Sequence, residues 1–139
     1  MNISKFTQKS IQAVQDLEKV AYDYGNQEVE QEHLLYALLT QEDSLILKLI
    51  EKMEINKDYF IDVVKKALDA KVKVSGGDLR FGQYLNKALV NAEDEAKAMG
   101  DEYVSVEHLF LSILKQPSPS MKKILSEFGI TRERFLQAL

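Results

Sequence analysis

The 139-residue sequence has no cysteine and no tryptophan, only two prolines and only six glycines. Without cysteine there are no disulfides, thiolate metal ligands or Cys nucleophiles, a usage that fits a reducing, cytoplasmic setting. Few prolines and glycines leave long stretches uninterrupted, which favours helices. No apolar run approaches the roughly 20 residues of a membrane span. The opening MNISKFTQKS lacks the apolar core of a signal peptide. A basic excess is missing too: 18 Lys and Arg stand against 22 Asp and Glu, a net charge of −4, so nothing electrostatic calls for nucleic acid. The sequence holds no GxxxxGK[ST] or GxGxxG phosphate loop, no HExxH and no GxSxG. It therefore implies neither an enzyme nor a cofactor. The composition, 45% hydrophobic and 29% charged, is that of a globular chain long enough for one real core.

What is present is a repetition. Shifting the chain by 75 residues aligns Phe6–Val64 with Phe81–Leu139 without a gap, and 15 of the 59 positions are identical. Chance would give roughly a quarter of that. The identities include Gly25/Gly100, Val29/Val104, Glu32/Glu107, His33/His108 and Leu34/Leu109. Two copies are too few for a solenoid, so the expected fold is a pseudo-twofold pair on a shared core. Each unit reads as four helices by its apolar spacing. In the first unit these are marked by Phe6–Tyr24, Leu34–Leu39, Leu45–Met53 and Phe60–Leu68. The expected class is all-α, about eight helices: unit one at 1–68, a linker at 69–80 and unit two at 81–139. Within the linker, Lys71–Val74 reads as extended chain and Gly76-Gly77 as a flexible joint. Pro117 and Pro119 read as loop breakers. The second unit's last helix stops at Leu139 where the first runs to Leu68, which reads as a chain cut from something longer.

Each Glu-His pair has two readings. Across the pseudo-twofold, His33, His108, Glu32 and Glu107 supply the ligand types of a metal site, and hence a metal-dependent enzyme. Alternatively each pair opens a helix, with Glu complementing the helix dipole and His bonding a neighbouring loop. The second reading is the stronger, with Ser105 a good N-cap and Glu30 a poorer one. It assigns no metal. The run Glu93-Asp94-Glu95 reads as a solvated helix face, and most of the six tyrosines as half-buried core or rim with the hydroxyl in water.

The stretches KFTQKS, GNQEVEQEHLLYALL and GDEYVSVEHLFLSIL resemble the duplicated N-terminal domain of Clp-type AAA+ chaperones. Within that family they are most similar to the ClpB disaggregases. The resemblance implies a small all-α module that captures unfolded or aggregated polypeptide and passes it to a hexameric ATPase ring, with adaptor proteins as further partners. It implies no ATP hydrolysis, nucleic acid or membrane, and an isolated domain that is a monomer. It assigns the partner surface to an apolar groove with a polar rim. Matched residue by residue, that surface comprises Thr7, Asp101 and Glu107, with Leu89 at a groove position and His108 where some relatives carry an apolar side chain. A second reading follows from ClpC-like relatives, in which the counterparts of Glu32 and Glu107 bind phosphorylated arginine together with a Thr. Thr7 is kept here, but the second unit has Gly82.

Overall fold

The computed structural model describes residues 2–139. Eight helices are present among them: α1 (Gln8–Asp23), α2 (Gln31–Leu39), α3 (Leu45–Lys52), α4 (Lys57–Asp69), α5 (Gln83–Ala98), α6 (Val106–Lys115), α7 (Pro119–Glu127) and α8 (Arg132–Ala138). The all-α expectation holds. The apolar periodicity of α1 buries Ala13, Val14, Leu17, Val20 and Ala21. Its counterpart α5 buries Leu85, Ala88, Leu89, Ala92 and Ala96. In α2, with eight of nine residues buried, the hydrophobic run makes a helix enclosed on nearly every side. The buried side chains of both units, from Phe6 to Ala138, form one contiguous cluster.

The two units are joined by a reciprocal exchange that periodicity did not announce. Two short strands, β1 (Glu28–Val29) and β2 (Arg80–Phe81), pair in parallel with Val29 opposite Phe81. On the other side of the pseudo-axis Phe6 pairs with Val104, also in parallel. These are the same two positions, 75 residues apart, with the units interchanged. The hydrogen bonds repeat the exchange: Gly82 N–H donates to Val29 O at 2.8 Å, and Thr7 N–H donates to Val104 O at 2.9 Å. Each unit thus supplies the edge that satisfies backbone groups of the other.

Several local expectations need correction. Pro119 is not in a loop but is the first residue of α7, where its missing N–H costs nothing, with Ser118 as N-cap. Glu95 is not solvated: it is buried and held by Arg132 Nη2 at 2.6 Å. Tyr22, Tyr59 and Tyr103 are exposed rather than half-buried. The linker is docked along much of its length. Asn26 Nδ2 donates to Val72 O at 3.1 Å, Val74 N–H donates to Gly25 O at 2.9 Å, and Lys73 Nζ lies 5.4 Å from the centre of the Tyr24 ring. Among the described residues, no helix is long and apolar enough to cross a membrane.

Candidate functional site

The Glu-His pairs do open helices. Glu30 and Ser105 are the N-caps of α2 and α6, and the histidine lies three residues on in both. His33 Nδ1 accepts the Glu30 N–H at 2.8 Å, and His108 Nδ1 accepts the Ser105 N–H at 2.8 Å. Histidine therefore does the work that Glu or Gln does in an ordinary capping box. This fixes the tautomer, because Nε2 must then carry the proton. His33 Nε2–H donates to Asn26 Oδ1 at 2.9 Å, and His108 Nε2 meets Asp101 Oδ2 at 2.8 Å. Each ring bolts a helix start to the loop that follows Gly25 or Gly100, glycines in the left-handed region. With both nitrogens engaged, neither ring offers an ion a lone pair. Burial holds His33 down at about 4, reinforced by the nearby Lys71 ammonium and only partly offset by Glu30.

The six residues singled out by the sequence divide into two groups. Thr7 and Glu107, 100 positions apart in the chain, line one cleft of about 330 Å³. The start of α1 forms one wall, the loop between α2 and α3 another, and the start of α6 the third. Thr7 is the N-cap of α1, its hydroxyl accepting the Ser10 N–H at 3.3 Å. Glu107 is half-buried and enters none of the ion pairs found among the described residues. Leu45, 38% exposed, and Val106 give the cleft apolar surface, while Lys9 and Asp43 complete its rim. The sequence reading missed Lys9, Asp43 and Leu45. The cleft assembles only when the end of one unit's α2 meets the other unit's α6, and no local pattern announces that.

The other four do not line this cleft. Leu89 is buried in the core cluster, so it is not a groove surface in this conformation. His108 is buried on its bolt. Asp101, with its side chain 47% exposed, lies on the far end of that bolt. Glu32 is fully buried. Its Oε2 accepts from Ser120 Oγ of α7 and sits 3.4 Å from Lys71 Nζ, which also pairs with Glu30 at 2.7 Å.

The cleft has a pseudo-symmetric twin of about 390 Å³, lined among others by Gln31, Gly82, Tyr84, Ser118 and Ser120. The twin is furnished differently. Gln31 stands where the first cleft has Val106. Its amide donates to Tyr84 O at 3.2 Å and Gln116 O at 3.0 Å, and its carbonyl accepts the Ser118 N–H at 2.9 Å. Gly82 replaces Thr7. An added Cβ there would come within 2.9 Å of Glu28 Oε1 and 3.3 Å of Val29 O. In the twin, Gln31 is thus spent on backbone groups and Glu30 on Lys71, while Glu28 remains exposed.

The profile of the Clp repeat (R) N-terminal domain matches residues 5–128. The chain belongs to this family. As a Clp N-terminal domain it is 39% identical over 145 residues to the chaperone protein ClpB of Nitratidesulfovibrio vulgaris, and 40% identical over 144 residues to ClpB of Clostridium tetani. All of this chain is covered in both matches, but only 17% of each relative, so the chain spans about a sixth of their length. Among solved structures, the Hsp104 N-terminal domain from Candida albicans shares the fold with a TM-score of 0.83 at 20% identity, covering 96% of this chain and 88% of that one. A complex of a ClpV N-domain with a VipB peptide matches with a TM-score of 0.73 at 19% identity, covering 98% and 89%. The Clp N-terminal domain fold and its likeness to ClpB chaperones are thereby established.

Proposed function

We propose that this Clp N-terminal domain binds polypeptide, as the recognition module of a ClpB-type disaggregase, and that the Thr7–Glu107 cleft is its contact surface. The observation that carries the reading is the asymmetry of the two clefts. One has Gln31 spanning three backbone groups where the other has Val106, glycine in place of Thr7, and its copy of Glu107, Glu32, fully buried. The other combines an unpaired half-buried carboxylate, exposed Leu45 and a mixed-charge rim. Segments exposed by misfolding are apolar and often flanked by basic residues. Leu45 and Val106 offer the former burial at roughly 25 cal/mol per Å², and Glu107 attracts the latter, since Asp43 is already paired with Lys48. A surface this small gives weak binding, as befits a module that must hand its client on to an ATPase ring in the cytoplasm. The peptide bound to a ClpV N-domain is consistent with peptide recognition on this fold.

The test is titration of a labelled, permanently unfolded polypeptide against Glu107→Gln and Thr7→Ser. The first removes only charge, and the second keeps the α1 cap. Glu107→Gln is expected to weaken binding several-fold with an unchanged melting temperature, and unchanged binding would rule the cleft out. The phosphoarginine reading is less favoured in the first unit, because Glu32 is fully buried and already bonded to Ser120 and Lys71. Saturable phosphoarginine binding lost in Glu32→Gln would reverse that preference.

A further inference from the structure

Charge is unevenly distributed along this acidic chain. Residues 111–139 hold five Lys and Arg against two Glu, while residues 1–110 hold 13 against 20. The basic segment surrounds a separate pocket of about 220 Å³ where the end of α6, α7 and the start of α8 meet. Its apolar lining comes from Leu114, Pro117, Leu125 and Ile130, and its cations are Lys122 and Arg132. Arg132 Nη2 is engaged by the buried Glu95, but Nη1 is buried without an acceptor among the described residues. A guanidinium N–H left this way carries a desolvation cost that an anionic acceptor would relieve.

The first unit provides an internal comparison. At the matching positions it has Glu42 for Pro117, Leu47 for Lys122, Glu51 for Ser126 and Glu54 for Gly129. Its Lys57, the counterpart of Arg132, already faces Glu51 at 3.6 Å. The duplicated fold therefore does not require the basic pocket. The second unit differs from the first there by fewer acids and one more cation, Lys122 in place of Leu47.

From this we infer a second peptide site, one that takes a C-terminal residue with an apolar side chain and a free carboxylate. The volume suits one side chain of Leu size, not a run of them. An apolar terminal residue is also the most compact group that presents both an apolar body and an anion, as the four apolar residues and two cations demand. A carboxylate on this pocket pairs with the exposed Lys122 ammonium and lies beside the Arg132 guanidinium, whose Nη2 already serves Glu95.

The probe is a short unstructured peptide ending in Ala-Leu with a free carboxylate, titrated into the ¹⁵N-labelled domain. Two controls accompany it: the C-terminal amide of the same peptide, and an amidated peptide with an internal Asp-Leu. Saturable shifts at Leu125, Ile130 and Arg132 are expected for the free acid, with binding at least tenfold weaker for both controls. Lys122→Glu, an exposed change, is expected to weaken the acid by a similar factor. Arg132→Met alone would strand buried Glu95, so it is paired with Glu95→Val, which copies Val20 of the first unit. This double variant is expected to fold and to lose binding. Equal binding of acid and amide would overturn the proposal. So would binding by the internal Asp-Leu peptide, shifts confined to the Thr7–Glu107 cleft, or no shift at millimolar peptide. Because Glu107→Gln leaves this pocket intact, failure of one site is read separately from failure of the other.

Discussion

At the scale of single residues, the two histidines are the same device in different surroundings. His33 is held neutral by burial and by Lys71, titrating at about 4 instead of the usual 6.5. A group whose folded value is depressed stabilises the fold fully above its unfolded value. That contribution falls away as pH drops from about 6.5 to about 4, because the unfolded chain takes up the proton first. The linked loss is about 3 kcal/mol across that window. Urea melts from pH 7.5 to 4 are expected to show it as a slope, and His33→Gln, which keeps an acceptor for the Glu30 N–H, is expected to flatten that slope. The ring's partners also explain one of the repeat's mismatches. Asn26 stands where the second unit has Asp101 because its amide must accept from His33 and also donate to the linker carbonyl of Val72. A carboxylate cannot do both. A second residue-scale prediction concerns Glu54, which holds φ at +63°, while its counterpart Gly129 holds +62°. Glu54→Gly relieves the left-handed strain, and the flexibility it adds to the unfolded chain offsets part of the gain. A net stabilisation of about 0.5 kcal/mol is expected in a thermal melt, and a lower melting temperature would contradict it.

At the scale of elements, the linker is the informative piece. The sequence showed it as extended and flexible, on the strength of alternating Lys and Val and a double glycine. Its extension was legible, but its anchorage was not. Lys71, whose side chain is only 13% exposed, reaches Glu30 and Glu32, and Glu32 in turn reaches Ser120 of α7. None of those partners is near Lys71 in sequence, so no window of residues contains the signal. Lys71→Met would leave the buried Glu32 carboxylate without its cation, at a cost of roughly 3 kcal/mol. The double variant Lys71→Met with Glu32→Gln is expected to recover most of that. Hydrogen exchange at the Val74 amide, bonded to Gly25 O, is expected to speed up in the single variant. Exchange unchanged in both variants would mean that Lys71 does not hold the linker. The helices themselves were readable, since apolar spacing and the 75-residue offset located all eight. Glu95 misled because an acidic run looks the same whether solvated or paired, and its partner Arg132 is 37 residues away.

At the scale of the whole molecule, one core and two reciprocal strand pairings make the units interdependent. Gln31 adds a further tie, binding backbone groups on both sides of the second unit. Calorimetry on the full chain is expected to show a single two-state transition. Residues 1–79 expressed alone are expected to show no cooperative melt as a monomer, and a monomeric fragment that melts cooperatively would contradict the shared core. Of the proposed site, the sequence pointed to Thr7 and Glu107 only through resemblance, and not to their lining one cleft. Their proximity exists only in the assembled pair.

The exchanged strand edges carry a consequence for ancestry. A lone unit of this design would display at one end the backbone groups that its own copy satisfies, which is the anatomy of an obligate homodimer. Joining the two copies through twelve residues makes intramolecular what between separate copies would be a concentration-dependent association. It also releases each copy from having to match the other. Perfect symmetry would force two identical clefts; one chain carrying both can line one with a glutamine tied to backbone, line the other with valine beside a free glutamate, and place extra positive charge on one flank alone.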